Sequence, residues 1–156
     1  MFFRKNRKKD TTLKKNPEVL KMISASKEDV RRAVNAYASS MRKGISLRSI
    51  IKDNHEIDVD MLYSYLGGKP DKSFYMSKET FEIFEDRDYP KYIDKCQIAC
   101  DQYYLDKNEE PVTPGDPLRR LNYLKLKDYL AEKPPFELYL HPYDQMVTHR
   151  PPKDKQ

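Results

Sequence analysis

Glycine and tryptophan are the scarce residues of this chain, which has 156 residues, 4 glycines and no tryptophan. Only Gly67 and Gly68 are adjacent, and the glycines show neither dinucleotide-binding nor Walker spacing. No serine lies in the Gly-x-Ser-x-Gly turn that presents a nucleophile. The sequence therefore lacks the common loops for phosphate binding and for serine-hydrolase chemistry.

Long apolar runs are also missing. No run reaches the roughly 18 residues that a membrane-spanning helix needs. Residues 1–5 include two basic residues, but no apolar stretch follows them as a secretory signal requires. These absences predict a cytoplasmic protein, with peripheral attachment to the inner face of the membrane as the alternative.

The chain has 2 cysteines, Cys96 and Cys100, too few for a disulfide framework. Their spacing places both on one side of a predicted helix, where disulfide geometry is rarely met. Two small buried thiols are the first interpretation, because free cysteine behaves as a small apolar residue. A zinc site that adds His141 or His149, and a redox-active thiol pair, are the alternatives.

Potential catalytic groups are not gathered into a recognisable motif. The 3 histidines, His55, His141 and His149, are far apart in sequence. His141 and His149 lie near opposite ends of a predicted hairpin, which either brings them together as a metal or base site or leaves them as surface residues. Acidic pairs such as Glu79 and Glu82 indicate solvated helix faces. We expect no enzyme activity, no cofactor and no metal site.

What the chain does have is a basic leader. Residues 1–15 contain seven cations and one acid, Asp10, so the leader has a net charge of +6 in a chain of net charge +5. The predicted polyanion-binding residues are these cations and the two phenylalanines before them: Phe2, Phe3, Arg4, Lys5, Arg7, Lys8, Lys9, Lys14 and Lys15. Clustered like charge stays solvated and attracts nucleic acid or an anionic membrane.

Three interpretations of the leader remain open. In the first, the leader binds an anionic membrane: each cation contributes about 1 kcal/mol to the binding free energy, and Phe2 and Phe3 insert beside the headgroups. On nucleic acid the cations pair with phosphates without sequence preference while the phenylalanines stack on bases. The terminal phenylalanines favour the membrane over nucleic acid. The third interpretation is a disordered extension that aids solubility.

The first half of the chain is predicted to be helical. A capping box at Ser26 precedes an apolar stripe over residues 30–41, and Gly44 suits a left-handed cap at the end of that helix. Two shorter helices are predicted over residues 46–53 and 58–66. The second has no Arg, Lys, Asn or Gln to read base edges, so DNA recognition by a helix-turn-helix is not expected.

The middle of the chain alternates between strand and helix patterns. Residues 74–76 predict a short strand, and residues 77–84 predict a helix. Residues 90–104 predict a second amphipathic helix whose proline occupies the first turn. Residues 108–117, with three prolines, predict an ordered loop.

The last third predicts a small sheet. Residues 118–122 favour a strand and residues 123–132 a short helix. Residues 136–141 alternate strictly and, with residues 146–149, predict a β-hairpin with a four-residue loop. Because a lone hairpin is only marginally stable, we expect it to pair with the strand segments at residues 74–76 and 118–122.

Together these elements predict an α+β fold. A helical N-terminal half is followed by a small antiparallel sheet, the C-terminal hairpin, which packs against the helix over residues 90–104. We expect a basic disordered tail over residues 1–16, a single α+β domain over residues 17–152 and a frayed C-terminus over residues 153–156.

Several short segments carry a resemblance to a known family. They are residues 74–84, which read Phe-Tyr-Met-Ser-Lys-Glu-Thr-Phe-Glu-Ile-Phe, then Ile93-Asp94, Pro111-Val112, Gly115-Asp116-Pro117, and Tyr139-Leu140 through Val147-Thr148. In this order the chain resembles a small uncharacterised domain family of Firmicutes, from about residue 30 to residue 152. The resemblance implies a bacterial cytosolic protein that has no assigned activity and no known functional residues.

The sequence thus favours a non-enzymatic protein-interaction or regulatory module whose partner protein is unknown. The chain has 12 tyrosines, a residue type that is enriched at interfaces. The candidate surface tyrosines are Tyr63, Tyr65, Tyr75, Tyr139 and Tyr143. The alternative for each is a partly buried ring with a solvated hydroxyl.

Overall fold

The computed structural model describes residues 21–152. The predicted polyanion-binding residues, Phe2 to Lys15, lie outside the described residues, as does the predicted frayed end at residues 153–156. Within the described residues, no helix is both long and apolar enough to cross a bilayer. The described chain contains helices and short, mostly antiparallel sheets, so the predicted α+β fold is confirmed.

Two compact units make up the described chain. Unit 1 comprises the described residues of Met1–Ile50 together with Asp58–Ser73. Unit 2 comprises Ile51–Ile57 and the described residues of Phe74–Gln156.

Helix α1, Lys27–Ser40, is the main element of unit 1. The predicted capping box is present: Ser26 Oγ accepts from the Asp29 amide at 3.1 Å, and the Asp29 carboxylate accepts from the Ser26 amide at 3.0 Å. The predicted end is wrong, because the helix stops at Ser40 with an extended Met41. Gly44 has the expected positive φ of 89°, but it lies in the following turn rather than at the helix cap.

The predicted short helices of unit 1 are present but tighter than expected. Leu47–Ile50 and Val59–Leu62 are single 3₁₀ turns, and the second continues into helix α2, Tyr63–Leu66. Asp58 caps the second turn, since its carboxylate accepts from the Asp60 amide at 3.2 Å. The buried side chains of this unit include Val30, Ala33, Val34, Ile50 and Leu62.

Two short strands close unit 1. Strand β1, Met22–Ile23, pairs in parallel with strand β2, Lys69–Pro70. The Lys69 amide donates to the Lys21 carbonyl at 2.9 Å. A Cβ atom on Gly68 would lie 2.7 Å from that same carbonyl oxygen, so the close approach of the two strands requires glycine here.

The longer segment of unit 2, from Phe74 onward, begins with a hairpin that the sequence did not predict. The predicted strand is present as β3, Tyr75–Met76, but it pairs antiparallel with β4, Ile83–Phe84, where a helix was expected. The helix prediction is wrong because the segment makes a single turn, in which the Phe81 amide donates to the Ser77 carbonyl at 2.9 Å. Phe81 then has a left-handed φ of 62°, which a right-handed helix cannot contain, and the chain turns back so that β4 pairs with β3.

Helix α3, Asp88–Lys107, is the long element of unit 2. Pro90 occupies its first turn as predicted, and the helix continues past Tyr104 to an Asn108 cap in the left-handed region, at φ 56°. Its buried stripe confirms the predicted core face: Ile93, Cys96, Ala99, Cys100 and Tyr103.

The segment after α3 contains little regular structure. The predicted loop at residues 108–117 is present. Residues 118–122 form only isolated bridges, Val112 with Leu121 and Arg120 with Tyr139. The helix predicted over residues 123–132 is wrong. Asn122 Oδ1 accepts from the Leu124 amide at 3.0 Å and from the Lys125 amide at 3.1 Å, so a series of turns begins there.

The C-terminal hairpin is confirmed, with short strands. Strand β5, Tyr139–Leu140, pairs antiparallel with β6, Val147–Thr148, in the register Tyr139 with Thr148. The His141 amide donates to the Met146 carbonyl at 2.9 Å, which leaves the four-residue loop that was predicted. Two segments were expected to pair with this hairpin. Residues 118–122 do so through one bridge, Arg120 with Tyr139. The other segment, residues 74–76, contains β3, which pairs with β4 instead.

One hydrophobic cluster holds unit 2 together. Buried side chains of α3, the hairpin and the turns between them contribute to it. They include Phe84, Ile93, Cys96, Cys100, Leu121, Leu126, Leu138, Leu140 and Val147. The hairpin therefore packs on α3, as the sequence predicted.

Candidate functional site

An open groove lies on unit 2 between α3 and the hairpin. We call it the α3 groove; its cavity measures about 340 Å³. Eight residues line it: Cys100, Asp101, Tyr104, Leu105, Glu110, Pro111, Leu140 and Gln145. This volume is near the lower end of the range of roughly 300–1,000 Å³ that ligand pockets occupy.

Helix α3 supplies the first wall of the groove. Cys100 is buried, whereas Tyr104 is 50% exposed and Leu105 is 81% exposed. Ile98, at 50% exposure, lies on the same helical face as Leu105 because the two are two turns apart. This side of the groove therefore has a buried residue, Cys100, at its base and the exposed side chains of Tyr104 and Leu105 at its edge.

A buried amide, Gln97, fixes this wall to the hairpin. Its Nε2 donates to Asp101 Oδ1 and to the Gln145 carbonyl, both at 3.1 Å. Its Oε1 accepts from the Val147 amide at 2.7 Å. Since buried amides are stable only when they are paired, Gln97 sets the distance between the two sides of the groove.

Glu110 stands on the opposite wall. Its Oε2 accepts from Arg119 at 2.9 Å and from the Gln145 side chain at 3.0 Å. The hydrogen bond from Arg119 lowers the pKa of Glu110, and the Gln145 amide acts in the same direction. Arg119 is itself held by the Leu140 carbonyl at 2.9 Å, so this carboxylate is fixed and ionised at neutral pH.

Gln145 adopts an unusual backbone conformation at the rim. Its φ is 55°, in the left-handed region that non-glycine residues rarely enter. Its amide donates to the His141 carbonyl at 3.0 Å, and its carbonyl accepts from Gln97. Such conformations persist where surrounding contacts hold them, and they are common at binding sites.

A second polar cluster is centred on Asp94, which is 8% exposed. Oδ1 accepts from Ser77 Oγ at 2.5 Å and from the Glu79 amide at 3.2 Å. Oδ2 accepts from the Lys78 amide at 2.9 Å and lies 2.8 Å from His55 Nε2. Four partners from two chain segments therefore meet at one carboxylate.

This cluster contains a serine, a histidine and an aspartate, but its geometry is not that of a nucleophile and its base. The carboxylate stands between the other two, whereas nucleophilic catalysis needs the base to contact the serine. Ser77 is fully buried, and its Oγ also accepts from the Thr80 amide. The arrangement can fix the β3–β4 turn and His55 to helix α3.

The cysteines lie on the buried face of α3. Both are free thiols. Burial raises the pKa of Cys96 to about 12, and burial with the neighbouring Cys96 and Asp101 raises the pKa of Cys100 further. Among residues 21–152, no group of three or more His, Cys, Asp and Glu residues is placed to hold a metal ion. The structure therefore supports the first interpretation, two small buried thiols.

The histidines are not brought together as one site. His55 contacts Asp94, and His141 Nδ1 lies 3.2 Å from Asp144 in its own loop. His149 packs against the ring of Phe84, with centroids 4.9 Å apart. Each histidine has its own surroundings, so of the two possibilities for His141 and His149, the one in which they meet across the hairpin is not seen.

The tyrosines predicted to lie on the surface divide into two groups. Tyr143 is 83% exposed and Tyr65 is 40% exposed. Tyr63, Tyr75 and Tyr139 are half-buried, which agrees with the alternative of a partly covered ring. Tyr143 belongs to the hairpin loop that also supplies Gln145 to the α3 groove.

Sequence reasoning missed the residues that build the groove. Of the eight lining residues, the sequence suggests a chemical role for Cys100 alone, as a buried thiol. Asp101 and Leu105 lie at i and i+4 on the outer face of α3, a spacing that marks one helical face. That spacing was a readable signal, whereas nothing in the sequence indicated that Gln97 and Asp94 would be buried.

Fold and site together define a small α+β protein with an open groove of mixed apolar and acidic lining. The model of the family described as "Protein of unknown function (DUF3939)" matches residues 20–149. The chain belongs to this family, and the resemblance to an uncharacterised domain family is confirmed. No curated protein and no solved structure matches the chain.

Proposed function

We propose that this chain is a non-enzymatic protein-binding module and that the α3 groove is its contact surface. The observation that carries the proposal is the exposure of Leu105 and Tyr104 beside a cavity of about 340 Å³. Covering apolar surface contributes about 25 cal/mol per Å², so a partner that buries these side chains gains binding free energy.

The rigid setting of the groove supports the same proposal. Gln97 and Arg119 hold its two sides by hydrogen bonds of 2.7–3.1 Å. A preformed surface binds with a smaller loss of conformational entropy than one that must be ordered first. Apolar side chains at the centre with polar groups around them are the usual arrangement of an interface.

Site-specific photocrosslinking in cells tests this proposal. A photoreactive phenylalanine analogue replaces Leu105 in the full chain, and a second variant carries it at Leu124. Leu124 is the matched control, because it is a leucine of the same unit with a similar exposure of 76%. We expect a discrete protein adduct from position 105 that position 124 does not give. No adduct at 105, or the same adducts at both positions, would overturn the proposal.

A second candidate function rests on the basic leader. The seven cations and the two phenylalanines of residues 1–15 favour peripheral attachment to an anionic membrane, with non-specific nucleic-acid binding as the further alternative. Co-sedimentation of full-length and leader-deleted protein with anionic and neutral vesicles tests it, with DNA and RNA as competitors. Leader-dependent binding to anionic vesicles that survives the competitors supports attachment. Loss of vesicle binding to the competitors supports nucleic acid, and no binding at all opposes both.

A further inference from the structure

We infer that the α3 groove takes a polypeptide segment that places an apolar side chain in the cavity and a lysine or arginine beside Asp101. The inference rests on the protein-binding function proposed above and adds the chemistry of the partner. Three observations carry it: the charge of the lining residues, the surroundings of Asp101 and the projection of Leu105 from the cavity wall.

The lining of the groove is acidic. Its eight residues include two carboxylates, Asp101 and Glu110, and no basic side chain. The wall also contains Tyr104 and Leu105 from the last turn of α3, where the helix dipole presents its negative end. A positively charged group is therefore favoured at this rim, and a phosphate or carboxylate is repelled.

The two carboxylates differ in what they can still bind. Glu110 is already paired with the Arg119 guanidinium at 2.9 Å. Asp101 accepts from the neutral Gln97 amide at 3.1 Å, and no cation in residues 21–152 pairs with it. Asp101 is exposed, so an incoming ammonium or guanidinium can approach without displacing an internal partner. This makes Asp101 the cation-binding position of the groove.

The shape of the groove favours a polypeptide over a small cation. A small molecule confined to the cavity would leave most of Leu105 in water, since that side chain is 81% exposed. A chain segment that runs across the rim covers Leu105 and Tyr104 while one of its side chains fills the cavity. A segment in which apolar and basic residues alternate would contact the apolar side chains of the groove and the Asp101 carboxylate at the same time.

Peptide display on the full chain provides the test. A random 12-residue library is first depleted on the Leu105→Ser variant and then selected on the unchanged protein. Depletion removes peptides that bind elsewhere, including acidic peptides held by the leader. Selected peptides are synthesised with a fluorescent label, and their Kd is measured by anisotropy on the unchanged protein and on four variants.

The four variants form two matched pairs. Leu105→Ser and Asp101→Asn alter the groove, whereas Leu124→Ser and Asp128→Asn make the same changes at exposed positions of unit 2 outside it. We expect Leu105→Ser to weaken binding about tenfold or more. We expect Asp101→Asn to weaken it about threefold to tenfold at low salt, an effect that high salt removes. The two controls should stay within about twofold of the unchanged protein.

Several outcomes would overturn this inference. Failure to select any peptide after depletion, selection of peptides without Lys or Arg, or an Asp101→Asn affinity equal to that of the control would each do so. A crosslink at position 105 together with any of these results would leave the protein-binding proposal standing while the inference about cationic partners fails.

Discussion

Ser77 Oγ lies 2.5 Å from Asp94 Oδ1, although the two residues are 17 positions apart in the chain. The serine sits in the turn between β3 and β4, and the aspartate lies on the buried face of α3. This contact joins the first hairpin of unit 2 to its long helix.

The Asp94→Ala substitution should lower the free energy of unfolding by about 3 kcal/mol, because it leaves buried donors of Ser77, His55 and two backbone amides without their acceptor. Urea unfolding followed by circular dichroism measures the change. Gln102→Ala, an exposed position of the same helix, is the control and should cost less than about 0.5 kcal/mol. Equal costs for the two variants would contradict a central role for Asp94.

The Gln97→Leu substitution should lower the free energy of unfolding by about 2 kcal/mol. It keeps the size of the side chain but leaves the Val147 amide and the Gln145 carbonyl unpaired. Hydrogen exchange of the Val147 amide should become faster in the variant. Gln102→Leu on the exposed face is the matched control. If the Val147 amide keeps its protection in Gln97→Leu, then Gln97 does not hold the hairpin in place.

Neither cysteine should react with Ellman's reagent in the native protein at pH 8. The thiolate is the reactive form, and burial raises the pKa of Cys96 to about 12 and that of Cys100 higher still. In urea both thiols become exposed, and we expect two equivalents to react per chain. Rapid reaction of one thiol without urea would show that the face of α3 opens in the native state.

Stability should fall as the pH rises above about 9. The pKa values of Cys96 and Cys100 are raised by folding, so the unfolded chain ionises first and is favoured at alkaline pH. Tyr103 acts in the same direction, because its hydrogen bond to Glu109 raises its pKa to about 12. Unfolding free energies measured between pH 8 and pH 11 test this. The Cys96→Ala, Cys100→Ala double variant should show a shallower decline, and an unchanged slope would contradict the assignment.

In unit 1, Gly68→Ala should destabilise the protein more than Gly44→Ala. A Cβ atom at position 68 would lie 2.7 Å from both the Lys21 carbonyl oxygen and Ile23 Cγ2, which would separate β1 from β2. At Gly44 no atom lies within 4 Å, so only the positive φ of 89° opposes alanine, at about 1 kcal/mol. The melting temperatures of the two variants test this, and that of Gly68→Ala should be the lower. A smaller effect at position 68 would mean that the strand pair tolerates the added methyl group.

Elements whose signals are local could be predicted from the sequence. The Ser26 capping box, Pro90 in the first turn of α3 and the four-residue hairpin loop all depend on neighbours within a few positions. The two helix predictions that were wrong, at residues 77–84 and 123–132, followed apolar spacing alone. At residues 77–84 the left-handed Phe81, with a φ of 62°, ends the single turn and lets β4 pair with β3, which apolar spacing does not show.

The sequence by itself determined the α+β class and the apolar stripe of α3 that is buried, because helical periodicity decides which side chains share a face. Only the tertiary structure decided that Asp101 and Leu105 lie beside Glu110 and Gln145 in one groove. That juxtaposition depends on the Gln97 hydrogen bond to Val147, a residue 50 positions later. A contact at such separation forms only when the packed core has brought the hairpin onto the helix.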